Sequence, residues 1–352
     1  MKDVASQPLR VAVTGCGFIA QSIHIPTLAH SRIAKLVAVC DTNEELATNI
    51  ARKFKIDKVY TDFGEMLNQE TLDMVDVCTS ISTHAALSIQ AMEAGCHVLV
   101  EKPMALTIGK ADEMIKASIK NRVRLGVVHD MLFGLAMMRT RSMVNKGVVG
   151  DLVGVEIKQS CPPQDFPIIS DPTHWWHKLP GGVFGDTLPH PIYLAREFLG
   201  ELELVAVYAR KLGHLDHVRF DEVRIILGGK RGIATIISSC NSPSLMAVDI
   251  FGTRMNLYSN LYNGVVIKYR GKSDMGKGSP PQRALENLNW GFQLLSNTVS
   301  TGSRVIMGKR GGHRVLINKF LESIQNGTQV PVTAEDGRQT LRLLEEITSQ
   351  MI

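Results

Sequence analysis

A glycine turn, Gly15-Cys16-Gly17-Phe18-Ile19-Ala20, follows directly on the apolar run at 9–14. Residues of these types at this spacing can cradle a pyrophosphate. Gly15 allows the tight turn, Gly17 lets the main chain approach the phosphates, and Ala20 takes the third glycine position at a close helix–strand contact. The N–H groups opening the next helix add partial positive charge. Asp41 ends the second apolar run, at the distance where a carboxylate accepts bonds from the adenosine ribose hydroxyls. It would repel a 2′-phosphate, which favours NAD over NADP, although Arg52 and Lys53 are basic residues that could admit NADP. Asp41 has another use open to it, as cap of the next helix with Glu44 as its capping-box partner. Thr79-Ser80 and Glu101-Lys102 end two further apolar runs. Ligands of open α/β sheets bind at the carboxyl ends of strands, so Thr79 and Ser80 are expected on the nicotinamide side.

The elements that must position these groups are legible in the pattern. Apolar runs at 9–14, 36–40, 74–79, 97–100 and 123–128, with a brief one at 59–60, read as buried strands. Helical stretches near 19–30, 43–55, 84–94 and 107–121 separate them. This alternation predicts βαβ units and a parallel sheet. Thr83 is a candidate cap for the helix that Gly95 ends, and Thr107 for the next. After residue 128 the pattern changes. A helix at 132–146 precedes alternating runs at 151–159, 201–211, 222–228, 232–239, 245–251 and 254–259, an antiparallel sheet with hairpin turns at 228–232 and 252–253. Helices near 283–298, 312–326 and 334–350 close the chain, after a loop at 271–281 rich in Gly, Ser, Pro and Lys. The fold expected is an α/β Rossmann domain, residues 1–128, and an α+β domain with an open-faced, mainly antiparallel sheet, residues 129–352. The C-terminal helices are free to pack back on the first domain. Sheet strands such as Ile225-Ile226-Leu227 are apolar on both faces, so the outer face is covered either by another subunit or by the chain's own helices.

The 352 residues suffice for two domains, and 44% hydrophobic with 21% charged residues is ordinary for a globular protein. The net charge of +5 is small and spread out. The densest basic stretch, Lys309-Arg310 and His313-Arg314, reads as a solvated face, not a nucleic-acid patch. The six cysteines form no C-x-x-C pair and read as small buried hydrophobes. No apolar run reaches the length of a membrane span, and residues 1–8 lack the core of a signal peptide. The expectation is a cytoplasmic protein with no membrane or nucleic-acid partner.

The glycine turn, His84 with Ala94-Gly95-Cys96-His97-Val98, Glu101-Lys102-Pro103, and Gly181-Gly182-Val183-Phe184-Gly185-Asp186 with His190 together resemble the Gfo/Idh/MocA oxidoreductases. The stretch Asn326-Gly327 through Pro331-Val332-Thr333-Ala334-Glu335-Asp336-Gly337 is similar to the family's last helix entry. Glu-Lys-Pro after an apolar strand is the most specific of these motifs. The resemblance implies a nicotinamide cofactor and hydride transfer at a carbinol or carbonyl carbon of a sugar, cyclitol or related compound. It also implies a homodimer or homotetramer built on the sheet. By the same resemblance Gly15, Gly17, Phe18, Ile19, Ala20, Asp41, Thr79, Ser80, His84, Glu101 and Lys102 form the cofactor side. Lys102, Asp186 and His190 are the catalytic candidates. Oxidising a secondary alcohol needs a base for the hydroxyl proton, and histidine titrates near working pH. Lys102 can stabilise the alkoxide or exchange the proton itself. Asp186 can orient the imidazole or bind a substrate hydroxyl.

Two departures from the family pattern bear on the substrate. Thr79-Ser80-Ile81 stands where Thr-Pro-Asn is common, and Asp130-Met131-Leu132-Phe133 where Asn-Arg-Arg-Phe or similar is common. The missing arginines argue against an anionic substrate there; His129 and Asp130 are instead candidates to contact a neutral polyol. In His174-Trp175-Trp176-His177, Trp175 and Trp176 can stack on a sugar face, or make an ordinary core or subunit contact. His174, His177, Asp186 and His190 are of metal-ligating type, but hydride chemistry with a lysine present requires no Lewis acid and no metal is expected. Two other readings stay open: an enzyme that uses bound NAD transiently for glycosidic cleavage or elimination, and a nucleotide-binding protein without catalysis.

Overall fold

A computed structural model describes residues 7–270, 280–306 and 311–351. The expected loop at 271–281 lies almost wholly outside these residues, as do Lys309 and Arg310. Two compact units divide the chain: residues 1–130 with 313–342, and residues 131–312 with 343–352.

The first unit carries β1 (Leu9–Thr14), β2 (Ala34–Cys40), β3 (Lys58–Tyr60), β4 (Met74–Val77), β5 (His97–Val100) and β6 (Leu125–Val127). All pair in parallel, in the order β3-β2-β1-β4-β5-β6. That is the doubly wound order, in which the crevice opens where the winding reverses, between β1 and β4. Burial on both faces explains why β1 and β4 read as apolar runs instead of alternating. Between the strands run α1 (Ile25–Ala29, entered through a π-helical turn at Ala20–His24), α2 (Glu44–Phe54), α3 (Phe63–Gln69), α4 (Ile81–Glu93) and α5 (Ile108–Asn121). Thr107 caps α5 by accepting from the Lys110 N–H. Thr83 does not cap α4, because that helix opens at Ile81 and Thr83 falls inside its first turn. Its hydroxyl donates to Thr79 Oγ1 instead.

The second unit holds α6 (Leu135–Asn145), β7 (Leu152–Ser160), α7 (Val183–Thr187), α8 (Pro189–Leu199), β8 (Glu203–Arg210), β9 (Glu222–Gly229), β10 (Gly232–Ser239), β11 (Leu245–Gly252), β12 (Asn256–Asn260), β13 (Val265–Tyr269) and α9 (Pro280–Ile306). The sheet order is β13-β12-β11-β7-β10-β9-β8, antiparallel except for the parallel pair β7–β10. Sequence periodicity missed β13, which is short and lies beyond the last clear hairpin signal. One face of the sheet packs under α8, which lies along β7 and β10. Ile225, Leu227 and Ile236 are buried, whereas Val205, Tyr208, Ile226 and Ile233 are exposed. The chain's own described helices therefore do not cover these outward side chains.

The final helices are α10 (Gly312–Asn326) and α11 (Ala334–Ser349). Residues 313–342 complete the first unit. Phe320 packs where a Cβ on Gly126 would sit, 2.6 Å from its ring, and Thr333 bridges to Gly126 of β6.

Candidate active site

The glycine turn is wedged against the end of β4. A Cβ on Gly15 would lie 2.7 Å from the main chain of Cys78 and Thr79, and its φ of +87° is one that glycine tolerates. Gly17 is the opposite case: a Cβ there meets nothing within 4 Å, so its backbone borders open space. Phe18 beside it is 85% exposed. Asp41 reaches back to this turn, accepting from the Cys16 N–H at 2.7 Å through one oxygen and from the Asn43 N–H at 2.9 Å through the other. The cap of α2 is Asn43, which accepts from Leu46, so the capping use of Asp41 is corrected. Arg52 and Lys53 sit in the last turn of α2, roughly 15 Å along its axis from its start near Asp41. An open glycine backbone, a helix start and a carboxylate tied to the same turn fit a dinucleotide.

Next to the turn lies a buried ionic network that the sequence reading did not anticipate. His24 is fully buried at the end of the π-helical turn. Its Nδ1 stands 2.7 Å from Asp76 of β4, and its Nε2 stands 2.9 Å from Glu101, just past β5. Both ring nitrogens thus donate to carboxylates, and the ring is an imidazolium. Burial is the largest single influence and would lower its pKa, but the charge and hydrogen bonding of its partners, Asp76 first, together hold it well above the ordinary value. Burial likewise pushes Glu101 up, yet His24, His313 and Lys102 bring it down to about 2. His313, at the start of α10, pairs with Asp130 at 3.1 Å and lies 3.7 Å from Glu101. Its pKa is depressed by burial and raised by Asp130 and Glu101, with a net rise. The solvated-face reading of His313 is thereby corrected, since its side chain is mostly buried.

The second oxygen of Glu101 accepts from the Lys102 N–H at 3.1 Å, and the Lys102–Pro103 peptide is cis. His84, buried in α4, faces the Pro103 carbonyl at 2.9 Å and the Thr79 carbonyl at 3.0 Å. Its pKa is lowered by burial despite those two acceptors. It therefore sits between the loop after β4 and the Glu-Lys-Pro segment, and its neutral ring donates to one of the two carbonyls. The first unit gathers Gly15, Asp41, Thr79, Ser80, His84, Glu101 and Lys102 at the carboxyl end of its sheet. His129 is almost fully buried, and the Asp130 carboxylate is engaged with His313.

The second unit holds Asp186 and His190. Gly182, at φ +60°, precedes α7, and a Cβ on Gly181 would strike Thr348 at 2.6 Å. Asp186 is buried in α7. Pro189 opens α8, as proline favours at a helix start. His190 in that first turn contacts the hydroxyl of buried Tyr193 at 2.8 Å through Nδ1. The Met131 N–H donates to the same phenol oxygen at 3.2 Å. Tyr193 is a partner the sequence reading missed, although the i, i+3 spacing on a helix is its signal. Trp175 and Trp176 are half-buried, their rings perpendicular at 6.3 Å. His177 meets the His217 ring at 4.7 Å, on the wall of a cavity of about 230 Å³. Among the described residues, His174, His177, Asp186 and His190 form no group of metal-ligand type. The groups that converge are His24 with Asp76 and Cys78, and His24 with Glu101 and His313. The His24 contacts to Asp76 and Glu101 there are ordinary hydrogen bonds in length.

Comparison with known proteins shows the family. Residues 9–129 match the model of an oxidoreductase family with an NAD-binding Rossmann fold, and residues 137–258 match the C-terminal domain model of the same family. The myo-inositol 2-dehydrogenase of Thermotoga maritima is 24% identical over 95% of this chain and 94% of its own. The D-glucoside 3-dehydrogenase of Escherichia coli K12 is 35% identical over 42% of each chain. An alpha-N-acetylgalactosaminidase of Shewanella oneidensis is 27% identical over 41% of this chain and 33% of its own. The crystal structure of the WlbA dehydrogenase from Bordetella pertussis, in complex with NADH and UDP-GlcNAcA, superposes with a TM-score of 0.77. It is 20% identical and covers 98% of this chain and 95% of that one.

Proposed function

The chain belongs to the Gfo/Idh/MocA family of NAD(P)-dependent oxidoreductases, and we propose that it oxidises a secondary alcohol of a sugar or cyclitol, or reduces the corresponding ketone. One observation carries the reading. Lys102 follows a carboxylate anchored by two histidines, at the same sheet edge as the open glycine turn. A lysine needed only for solubility requires no such support.

The dinucleotide is held by Gly15, Gly17 and the turn through Ala20, with Asp41 toward the ribose. When bound, its nicotinamide supplies the acceptor or donor of a hydride. NAD is the favoured form, because Asp41 opposes a 2′-phosphate and Arg52 and Lys53 lie at the far end of α2. His190 takes the hydroxyl proton at Nε2, provided that its Nδ1–H donates to Tyr193. Lys102 stabilises the alkoxide by its charge, and Asp186 supports the imidazole or a substrate hydroxyl. Trp175 and Trp176 offer ring faces to the apolar side of a sugar. Asp130 acts through His313, and His129 is a lesser candidate for substrate contact. The exposed face of the second sheet is the proposed seat of a homo-oligomer.

A screen of sugars, sugar acids and cyclitols with NAD and NADP tests the reading. Turnover with NAD and its loss in Lys102→Met, with cofactor binding retained, is the expected result. Full turnover in Lys102→Met removes the assignment. The relative named as a glycosidase supports a second reading, transient use of NAD in glycosidic cleavage. Sugar release without accumulation of reduced nicotinamide distinguishes it.

A further inference from the structure

Helix α9 is 27 residues long, and its outward face differs from an ordinary protein surface. From Asn287 to Gly302 it contains no charged side chain. Charged residues usually make up roughly a quarter to a third of a soluble surface. Leu285, Leu288, Phe292, Leu295 and Val299 are 64%, 69%, 71%, 63% and 65% exposed. Their spacing alternates three and four, the a and d positions of a heptad.

The polar side of the helix faces its own unit. Gln293 brackets Lys268 of β13, accepting from its N–H at 3.0 Å and donating to its carbonyl at 3.1 Å. Asn297 does the same at Val266, at 3.3 Å and 2.9 Å. Trp290 packs on Tyr269 with ring centroids 5.5 Å apart. These contacts set the rotation of α9, so its heptad row is left outward. A surface helix normally buries its apolar stripe against its own core.

We propose that α9 is a self-association surface, its row from Leu285 to Val299 packing on the same row of a second copy of this chain. The geometry of the row suits a facing helix. Gly291 lies beside it, and a Cβ there meets nothing within 4 Å. The result is a shallow groove of about 680 Å³ floored by Ala284, Leu288, Gly291, Phe292 and Leu295. A knob from another helix seats in such a hole. Ala284, Gly291 and Thr298 recur every seventh residue along one flank and permit close approach.

Three arguments choose the occupant. Five large apolar side chains, each about two-thirds exposed, offer roughly 500–600 Å² per copy, and two copies reach the ~1,000 Å² that a specific interface needs. The flanks carry no charges of the kind that select a foreign coiled-coil partner. A helix lying on a membrane would set Lys and Arg opposite its apolar row, and none stands between Asn287 and Gly302.

Sedimentation velocity on the full chain at micromolar concentration tests this. The double variant Leu288→Glu, Phe292→Glu should halve the assembly mass, with a dissociation constant raised at least about a hundredfold. Circular dichroism and NAD binding should be unchanged. A monomeric parent chain, or an unchanged mass in the variant, overturns the proposal. So does binding to phosphatidylcholine–phosphatidylglycerol vesicles by a chain that stays monomeric. If the charged variant loses its fold, Phe292→Cys decides. All six native cysteines are buried, so an oxidised intermolecular link through Cys at this central position supports the pairing, and its absence overturns it. Ile226→Glu, on the open sheet face, should leave that link intact.

Discussion

Lys102 and His190 are supported by different physics. In the first unit, the residue before Lys102 belongs to a buried network of full charges in which Asp76, His24, Glu101, His313 and Asp130 touch in sequence. In the second unit, His190 Nδ1 meets the hydroxyl of a tyrosine three residues further along its own helix. The network joins segments far apart in the chain and depends on tertiary structure at every link. The His190–Tyr193 pair depends mainly on α8. Removing one member of the network leaves charges buried without that partner, whereas removing the Tyr193 hydroxyl takes away its contacts with His190 and the Met131 N–H. The first arrangement ties the geometry at Lys102 to the stability of the unit, and the second ties the orientation of His190 to a hydroxyl on its own helix.

The largest effect should come from His24→Ala. It strands Asp76 and Glu101 in a buried setting, and breaking a buried ion pair destabilises by roughly 3–5 kcal/mol. Denaturant titration of the purified chain measures it. A loss under ~1 kcal/mol would mean that the network is not ionic.

The pH dependence sharpens the same contrast. The pKa of His24 is raised above 6.5 in the folded state, so its contribution is complete below 6.5 and is lost as pH rises through the raised value. Glu101 lies near 2 against an ordinary 4.5, so its contribution is complete above 4.5 and is lost as pH falls toward 2. The network should stabilise most between those limits, about pH 4.5 to 6.5. Unfolding free energies measured across pH should show this maximum in the parent chain and a flatter profile in His24→Ala.

His313→Gln should have an intermediate effect, on the order of 1–3 kcal/mol, because Asp130 loses a charged partner but is less deeply enclosed. The same titration reads it, and a neutral result would separate His313 from the network.

The smallest stability change is expected for Tyr193→Phe, about 1 kcal/mol, with kcat lowered by more than about tenfold and cofactor affinity unchanged. Steady-state kinetics with NAD check this, and unaltered kcat would remove Tyr193 as the positioning partner of His190.

The parallel sheet was legible from sequence because both of its faces are buried, so β1 and β4 appear as largely apolar runs, broken by Arg10 and Asp76. The glycine turn, Asp41 and the Thr107 cap were legible because each acts on neighbours within a few residues or at a characteristic spacing. Thr83 was misread because a threonine one turn inside a helix has the same composition as a cap. His313 was misread because Arg310 and Arg314 near it suggested a solvated face, and no local pattern shows that a histidine will meet Asp130 across the fold. A helix near 283–298 was legible, but a helical pattern does not say which face turns inward.

The sequence by itself determined the element types and the dinucleotide turn, since those follow from local backbone preference and residue chemistry, and its resemblance to the Gfo/Idh/MocA oxidoreductases supplied Lys102, Asp186 and His190 as candidates. Only the tertiary structure decided what surrounds them. Ionisation of a buried group depends on neighbours brought together from distant segments, so the charged state of His24 and the low pKa of Glu101 emerge only when β4, β5 and α10 are assembled.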